Sequence, residues 1–105
     1  MGFLDFLKGP DINRGMEDFK KTPGAVLMDV RTTPEYRQGH IPKSISVPLQ
    51  AIDRAAKIIE NKSTPIFVYC QSGARSRQAV GALRRMGYQQ VTDMGGIALY
   101  RGKVE

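Results

Sequence analysis

Short apolar runs alternate with amphipathic stretches from about residue 11 onward, and this alternation most constrains how the chain folds. Four runs are typical of buried strands: residues 24–30 (GAVLMDV), 44–47 (SISV), 65–69 (PIFVY) and 90–93 (QVTD). An opening strand around Asp11 to Asn13 is a weaker candidate. Proline, glycine and polar residues punctuate the runs, so each strand is short.

Helical patterns fill the intervals between these runs. Apolar residues recur at helical spacing within 14–21, 49–60 and 76–86, with Gly87 as the predicted C-cap of the last helix. A shorter helix is predicted to start with Thr33 as its N-cap and Pro34 in its first turn, and to end at Gly39. Strands that alternate with helices need crossover connections, which predicts an α/β fold with a parallel sheet and helices on both faces.

The length of 105 residues suits one domain. We expect a domain over residues 11–105, preceded by an extension over residues 1–10 whose apolar side chains either dock on the domain, mediate self-association or stay mobile. The apolar runs are much shorter than the ~20 residues of a membrane helix, so no membrane association is expected. The first residues lack the pattern of a secretory signal, and the predicted location is cytoplasmic.

The charge balance indicates a preference for anions. The chain contains sixteen Lys and Arg residues and ten Asp and Glu residues, which gives a formal net charge of +6. No run of five or more basic residues occurs and aromatic residues are not interleaved with basic ones, so no nucleic-acid partner is predicted. The chain has one cysteine, which excludes an intramolecular disulfide and a cysteine-based zinc site. Neither a metal nor a cofactor is predicted.

That cysteine, Cys70, follows the strongest predicted strand and precedes a short glycine-containing loop and a helix. In open parallel sheets, ligands bind beyond the carboxyl ends of the strands. Backbone N–H groups of such a loop, together with the helix N-terminus, form an anion cradle that favours a thiolate. A lone cysteine is more often an inert core thiol, but this position favours a nucleophile. Arg75, at the far end of the loop, is placed to bind the oxyanion end of a substrate.

These features resemble those of the single-domain members of the rhodanese family of sulfurtransferases. The resemblance covers nearly all of residues 11–100, and it rests on five motifs: Asp29-Val30-Arg31 with Glu35-Tyr36, Gly39-His40-Ile41-Pro42, the Cys70 loop, Gly87-Tyr88 and Gly95-Gly96-Ile97. It implies a five-stranded parallel sheet flanked by helices, and a Cys70 that accepts a sulfane sulfur to become a persulfide. The implied donor is a small anion such as thiosulfate.

The predicted substrate-binding residues are those that follow Cys70, namely Gln71, Ser72, Gly73, Ala74, Arg75 and Ser76. Because the chain has no second cysteine, the persulfide must discharge to an outside acceptor: cyanide, a low-molecular-weight thiol, thioredoxin or a client protein. Gln71 is neutral where many active relatives carry a basic residue, which leaves Arg75 as the only fixed charge of the loop.

Three further residues are predicted to support the site. Asp29 either accepts N–H groups of the loop or holds an arginine, and Arg31 is expected to pair with Glu35. His40 is interpreted as a loop residue with bonded ring nitrogens, because a thiolate already ionised by its loop needs no general base.

Two alternatives stay open. The first is a non-turnover sulfur-delivery or docking module of the same fold. The second is a cysteine phosphatase or arsenate reductase, but cysteine phosphatases place five residues between Cys and Arg, whereas four separate Cys70 from Arg75.

Overall fold

The computed structural model describes residues 9–105, and four strands within them form one parallel sheet. The strands are β1 (Val26–Asp29), β2 (Ser44–Ser46), β3 (Ile66–Cys70) and β4 (Val91–Gly96), in the spatial order β2-β1-β3-β4. The helices are α1 (Ile12–Lys20), α2 (Thr33–Gln38), α3 (Ala55–Ile58) and α4 (Ala74–Arg85), with 3₁₀ helices at Leu49–Arg54 and Ile97–Leu99.

The strand β3 lies at the centre of the sheet, and all of its residues are buried. Its neighbour β1 pairs with it in parallel, with Leu27 opposite Phe67 and Asp29 opposite Tyr69. A strand that is covered on both faces has to be apolar throughout, which explains why residues 66–70 (IFVYC) show no polar alternation.

Side chains on the two faces of the sheet form two separate cores. Met28 and Val68 point to one face and pack with Leu83 of α4, whereas Leu27 and Phe67 point to the other face and pack with residues of α1. The predicted α/β architecture with helices on both faces is therefore confirmed. Cys70 belongs to the core on the α4 face.

The expectation of five strands is wrong for the described residues. The candidate strand at Asp11 to Asn13 is instead the start of α1, where the Asp11 carboxylate caps the helix by accepting from the N–H groups of Asn13 and Arg14. Asp is a favourable N-cap because its side chain satisfies amides that have no partner within the helix. Residues 1–8 of the predicted extension lie outside the described residues, and the proposed domain boundary stays a prediction.

Several predicted helices also differ in their ends or their continuity. The C-cap of α4 is Met86 rather than the predicted Gly87, which is the next residue. The N-cap of α2 is Thr32 rather than Thr33, because Thr32 and Glu35 form a reciprocal capping box in which each side chain accepts from the other residue's backbone N–H. The single helix predicted at 49–60 is a 3₁₀ helix followed by the short α3, with non-helical dihedral angles at Ala51. Within residues 9–105, no helix has the length and apolar content to cross a bilayer.

Candidate active site

The site lies where the chain changes direction across the sheet. The connection after β1 leads outward to β2 at one side of the sheet, and the connection after β3 leads outward to β4 at the other side. The crevice between β1 and β3 is therefore a topological switch point. Both strands end there, β1 at Asp29 and β3 at Cys70. The fold thus places Asp29 and Cys70 at the same edge of the sheet, as the sequence predicted, with Asp29 paired to Tyr69, the residue before Cys70.

Only three residues, Gln71 to Gly73, join β3 to α4. Gly73 is the N-cap of α4 with a φ of 110°, a conformation that glycine adopts without steric penalty. This conformation directs the Gly73 N–H to Cys70, with a distance of 3.0 Å between N and Sγ. Within residues 9–105, no side chain caps the N-terminus of α4, so the amides of its first turn stay available beside the sulfur.

Cys70 is completely buried, with a relative exposure of 0%. Among the described residues, the Gly73 amide is the one group that donates a hydrogen bond to Sγ. The contact agrees with an amide cradle around the sulfur, and the predicted role of the other loop residues in binding a donor stays a prediction. A substrate can reach Sγ only after a local movement that opens a path to it.

Arg75 is held by Glu35 of α2. Its Nη1 lies 2.6 Å from Oε1 and its Nη2 lies 3.0 Å from Oε2, a bidentate ion pair. The hydrogen bonds from Arg75 lower the pKa of Glu35 from 4.5 to about 2. The hydrogen bond to Glu35 raises the pKa of Arg75. The charge of Arg75 is therefore already matched by a carboxylate.

The predicted Arg31–Glu35 pair is wrong, because Arg31 instead binds Asp29. The Asp29 carboxylate accepts from Nε and Nη2 of Arg31 and also from its backbone N–H. Residues two apart along a strand direction lie on the same side, which makes this pairing local. The guanidinium also donates to the Gly39 carbonyl at 2.7 Å and to the Gln71 side chain at 3.4 Å. Asp29 thus holds an arginine, one of its two predicted roles.

Asp93, which the sequence interpretation missed, supports the loop from the other side through Ser76, one of the predicted substrate-binding residues. The Ser76 hydroxyl oxygen lies 2.8 Å from Asp93 Oδ1 and 3.0 Å from the Gly73 carbonyl oxygen, so its single proton has two acceptors in reach, and the same Asp93 oxygen accepts from the Gly95 N–H. Asp93 therefore ties the first turn of α4 to β4. The available signal was an acidic residue at the end of a predicted strand, two positions before a glycine pair.

The glycine pair Gly95-Gly96 lies directly against the loop. A Cβ atom on Gly96 would overlap the Gln71 carbonyl and lie 2.8 Å from the Cα of Ser72. The Gln71 carbonyl also accepts from the Ala98 N–H at 3.2 Å. Gly96 thus allows a close approach of β4 to the backbone of the Cys70 loop.

His40 lies apart from these contacts. Its ring stacks on Tyr36 with centroids 3.7 Å apart, Nδ1 lies 2.8 Å from the Tyr36 carbonyl, and Nε2 lies 3.3 Å from a carboxylate oxygen of Glu105. Both ring nitrogens are engaged, in agreement with its interpretation as a structural loop residue. Among residues 9–105, no group of three or more His, Cys, Asp or Glu side chains is arranged to hold a metal.

Known proteins share this sequence pattern and architecture. The family described as Rhodanese-like domain matches residues 13–103. The chain is 37% identical over 71 residues to the Escherichia coli thiosulfate sulfurtransferase PspE, a match that covers 67% of this chain and 68% of PspE. It is 31% identical over 80 residues to the Bacillus subtilis putative sulfur carrier protein YrkF, covering 75% of this chain and 43% of YrkF.

A solved structure gives the same result. The structure described as rhodanese with anions from E. coli superimposes with a TM-score of 0.72 at 32% sequence identity, covering 77% of this chain and 96% of that chain. The family match spans nearly all the described residues, including both sides of the Cys70 site. The chain therefore belongs to the rhodanese-like family of sulfurtransferases.

Proposed function

We propose that the protein moves a sulfane sulfur from a donor such as thiosulfate to a thiol or cyanide acceptor through a persulfide on Cys70. The observation that carries this proposal is the placement of Sγ at the switch point of the sheet, 3.0 Å from the Gly73 amide at the start of α4. Backbone donors and a helix N-terminus stabilise negative charge, which both the thiolate and the persulfide carry.

The proposed cycle has two displacements. The Cys70 thiolate attacks the outer sulfur of thiosulfate, a new S–S bond forms to Sγ, and the S–S bond of the donor breaks with its electron pair leaving on sulfite. In the second step, cyanide or a thiolate attacks the terminal sulfur of the persulfide, which releases thiocyanate or a new persulfide and restores the Cys70 thiolate. No external oxidant or reductant is consumed.

The charge arrangement bears on the choice of donor. Arg31 and Arg75 each bind a carboxylate, Asp29 and Glu35 respectively. The two guanidinium charges are thus largely neutralised, and a dianion such as thiosulfate depends on the loop amides and on the N–H groups of Arg75 that face away from Glu35. This balance predicts slower capture of small dianions than a site with an unmatched arginine would give.

The same charge balance favours a second candidate, a sulfur-delivery protein that loads slowly and discharges only to a cognate protein. The relative YrkF is described as a putative sulfur carrier protein, which is consistent with such a role on this fold. The two candidates differ in the acceptor: steady turnover with cyanide supports the enzyme, and discharge to one protein acceptor alone supports delivery.

Intact mass spectrometry after incubation with thiosulfate tests the proposal. We expect the protein to gain one sulfur atom, which cyanide or dithiothreitol removes, and we expect no gain in a Cys70→Ser variant. A protein that gains no sulfur from thiosulfate or from small persulfide donors would contradict both candidates. Turnover of p-nitrophenyl phosphate or arsenate by the same sample would instead favour phosphatase or arsenate reductase chemistry.

A further inference from the structure

In a long segment of the chain that includes the site, all the charged residues are basic. Between Glu60 and Asp93 the sequence has no acidic residue, but it contains Lys62, Arg75, Arg77, Arg84 and Arg85. The acidic residues of the protein therefore lie on other elements, and α4 carries no carboxylate to balance its arginines. Such a one-sided distribution attracts anionic partners to this face.

Two of these arginines border a groove on the outer face of α4. Arg77, Gly81 and Arg85 lie at intervals of four residues, so they form one row along the helix. With Leu49, Gln78 and Ala82 they line a groove of about 470 Å³. Arg77 and Arg85 are exposed, and within the described residues neither has a hydrogen bond from its side chain or an ion-pair partner.

Gly81 and Leu49 give the groove its shape and an apolar floor. Because Gly81 has no side chain, Arg85 folds back over it, with Nη1 3.4 Å from the position that a Cβ atom would take. Leu49 is half-buried and packs on the core beneath α4. The two guanidinium-bearing residues are eight positions apart, roughly 12 Å along the helix axis. The groove thus combines an apolar floor with two cations along one row of the helix, and the Arg85 guanidinium reaches back to Gly81 rather than lying at the far end of the groove.

The groove begins next to the site. The Arg77 N–H donates to the Gly73 carbonyl at 3.1 Å, so Arg77 lies one helical turn from the glycine that binds Sγ. At the same end, the Leu49 N–H donates to the carbonyl of Val30, which directly follows β1. An occupant of the groove would therefore extend to the edge of the sheet at which Cys70 is located.

We propose that this groove docks an acidic segment of the protein that accepts the sulfur, with carboxylates on Arg77 and Arg85 and an apolar side chain over Leu49. The inference rests on the proposed function, of which it names the acceptor class. Charge complementarity argues for an acidic occupant, and the apolar floor argues for a polypeptide. A nucleic acid would require a longer basic track with aromatic stacking platforms, and the lining residues of the groove include no aromatic side chain.

Binding is tested first, without sulfur chemistry. The probe is a fluorescein-labelled synthetic peptide of glutamate and leucine residues, compared with a twin in which glutamine replaces glutamate. We expect the wild-type protein to bind the acidic peptide more tightly, and the double variant R77Q/R85Q to bind it roughly tenfold more weakly. The matched control K20Q/K21Q removes the same charge from the end of α1, on the opposite face of the sheet, and should change the affinity by less than about twofold.

Sulfur transfer is tested next with the same peptide carrying a terminal cysteine. In R77Q/R85Q, kcat/KM for transfer from the Cys70 persulfide to this peptide should fall roughly tenfold, while discharge to uncharged dithiothreitol stays at the wild-type rate. Equal binding and equal transfer by R77Q/R85Q and the wild type would overturn the docking proposal and leave the persulfide cycle intact.

Failure of the proposed function would give a different result from failure of the docking proposal. If Cys70 never acquires sulfur, the peptide-binding measurement still decides whether the groove recognises acidic segments. A single-stranded oligonucleotide is the competing ligand in the same assay. If it binds in the same arginine-dependent manner and more tightly than the acidic peptide, the groove is a nucleic-acid site and the proposal is wrong.

Discussion

Glu35 and Arg75 are forty residues apart in the chain, and they form a bidentate ion pair at the mouth of the site, with N–O distances of 2.6 and 3.0 Å. The pair links α2, which follows β1, to the first turn of α4, which follows β3. It therefore holds Arg75 at the end of the Cys70 loop. The Glu35 carboxylate also reduces the net positive charge that a donor meets there.

Substitutions of the two residues of this pair should change the KM for thiosulfate in opposite directions. Glu35→Gln leaves the Arg75 charge unmatched and should lower the KM for thiosulfate. Arg75→Gln leaves an unmatched carboxylate near the sulfur and should raise the KM about tenfold, because like charges repel across a partly buried site. Steady-state kinetics with thiosulfate and cyanide measure both effects.

The double variant Glu35→Gln/Arg75→Gln is the control for this charge argument. It removes both charges, so its KM should lie between those of the two single variants. Equal KM values for all four proteins would show that the pair has no influence on the donor.

The Glu35–Arg75 pair should also make stability depend on pH in the acid range. The pKa of Glu35 is about 2 in the folded protein, held down by the hydrogen bonds from Arg75, against an ordinary value of 4.5. The unfolded chain therefore takes up a proton at higher pH than the folded protein, so the contribution of the pair is complete above pH 4.5 and is lost as the pH falls toward 2. The effect is modest because both side chains are about one-third exposed.

Urea unfolding of the wild type and of Glu35→Gln at a series of pH values isolates this contribution. The difference in the free energy of unfolding between the two proteins should shrink as the pH falls from 4.5 toward 2. A difference that stays constant over this interval would contradict the assignment to Glu35.

Alkylation should reveal the movement that exposes Cys70. Because the side chain is buried in the folded protein, iodoacetamide should modify it at least about tenfold more slowly than in urea-unfolded protein, yet to completion. The reaction is followed by intact mass, with Cys70→Ser as the unreactive control. A native protein that is never alkylated, although its unfolded form is, would exclude Cys70 as a nucleophile.

Asp93 should affect catalysis without touching the substrate. Asp93→Ala removes the acceptor shared by the Ser76 hydroxyl and the Gly95 N–H, so the loop loses its link to β4 and the rate of persulfide formation should fall about tenfold. Asp93→Asn keeps an acceptor oxygen and should retain most of the rate. Single-turnover loading with thiosulfate measures this, and a loss in Asp93→Asn equal to that in Asp93→Ala would contradict the positioning role.

Two glycine-to-alanine variants should have opposite effects on stability. Gly96→Ala forces a methyl group into the backbone of Gln71 and Ser72 and should destabilise the protein by about 1–3 kcal/mol. Gly81→Ala places a methyl group against the flexible end of Arg85 within α4 and should stabilise the protein by about 1 kcal/mol, because glycine is a poor helix former. Thermal unfolding distinguishes them, and a stabilised Gly96→Ala would refute the proposed close contact.

Local sequence patterns were sufficient to predict two features that the sequence interpretation assigned wrongly, the N-cap of α2 and the partner of Arg31. Thr32 and Glu35 have the spacing of a capping box, which is a local signal for the start of α2. Asp29 and Arg31 are two residues apart at the end of a strand, a spacing that places both side chains on one side. Both local patterns favour Asp29 rather than Glu35 as the partner of Arg31.

The sequence by itself determined the order of strands and helices, the placement of Cys70 at a strand end and the glycine that follows it, because these depend on local periodicity and turn chemistry. Only the tertiary structure decided that Arg75 binds Glu35, that Asp93 holds Ser76, and that Gly96 packs on the Cys70 loop. These contacts join residues from separate elements, and their geometry depends on the strand order β2-β1-β3-β4 and on the packing of α2 and α4 at one edge of the sheet. Local sequence patterns contain no information on distances between such elements.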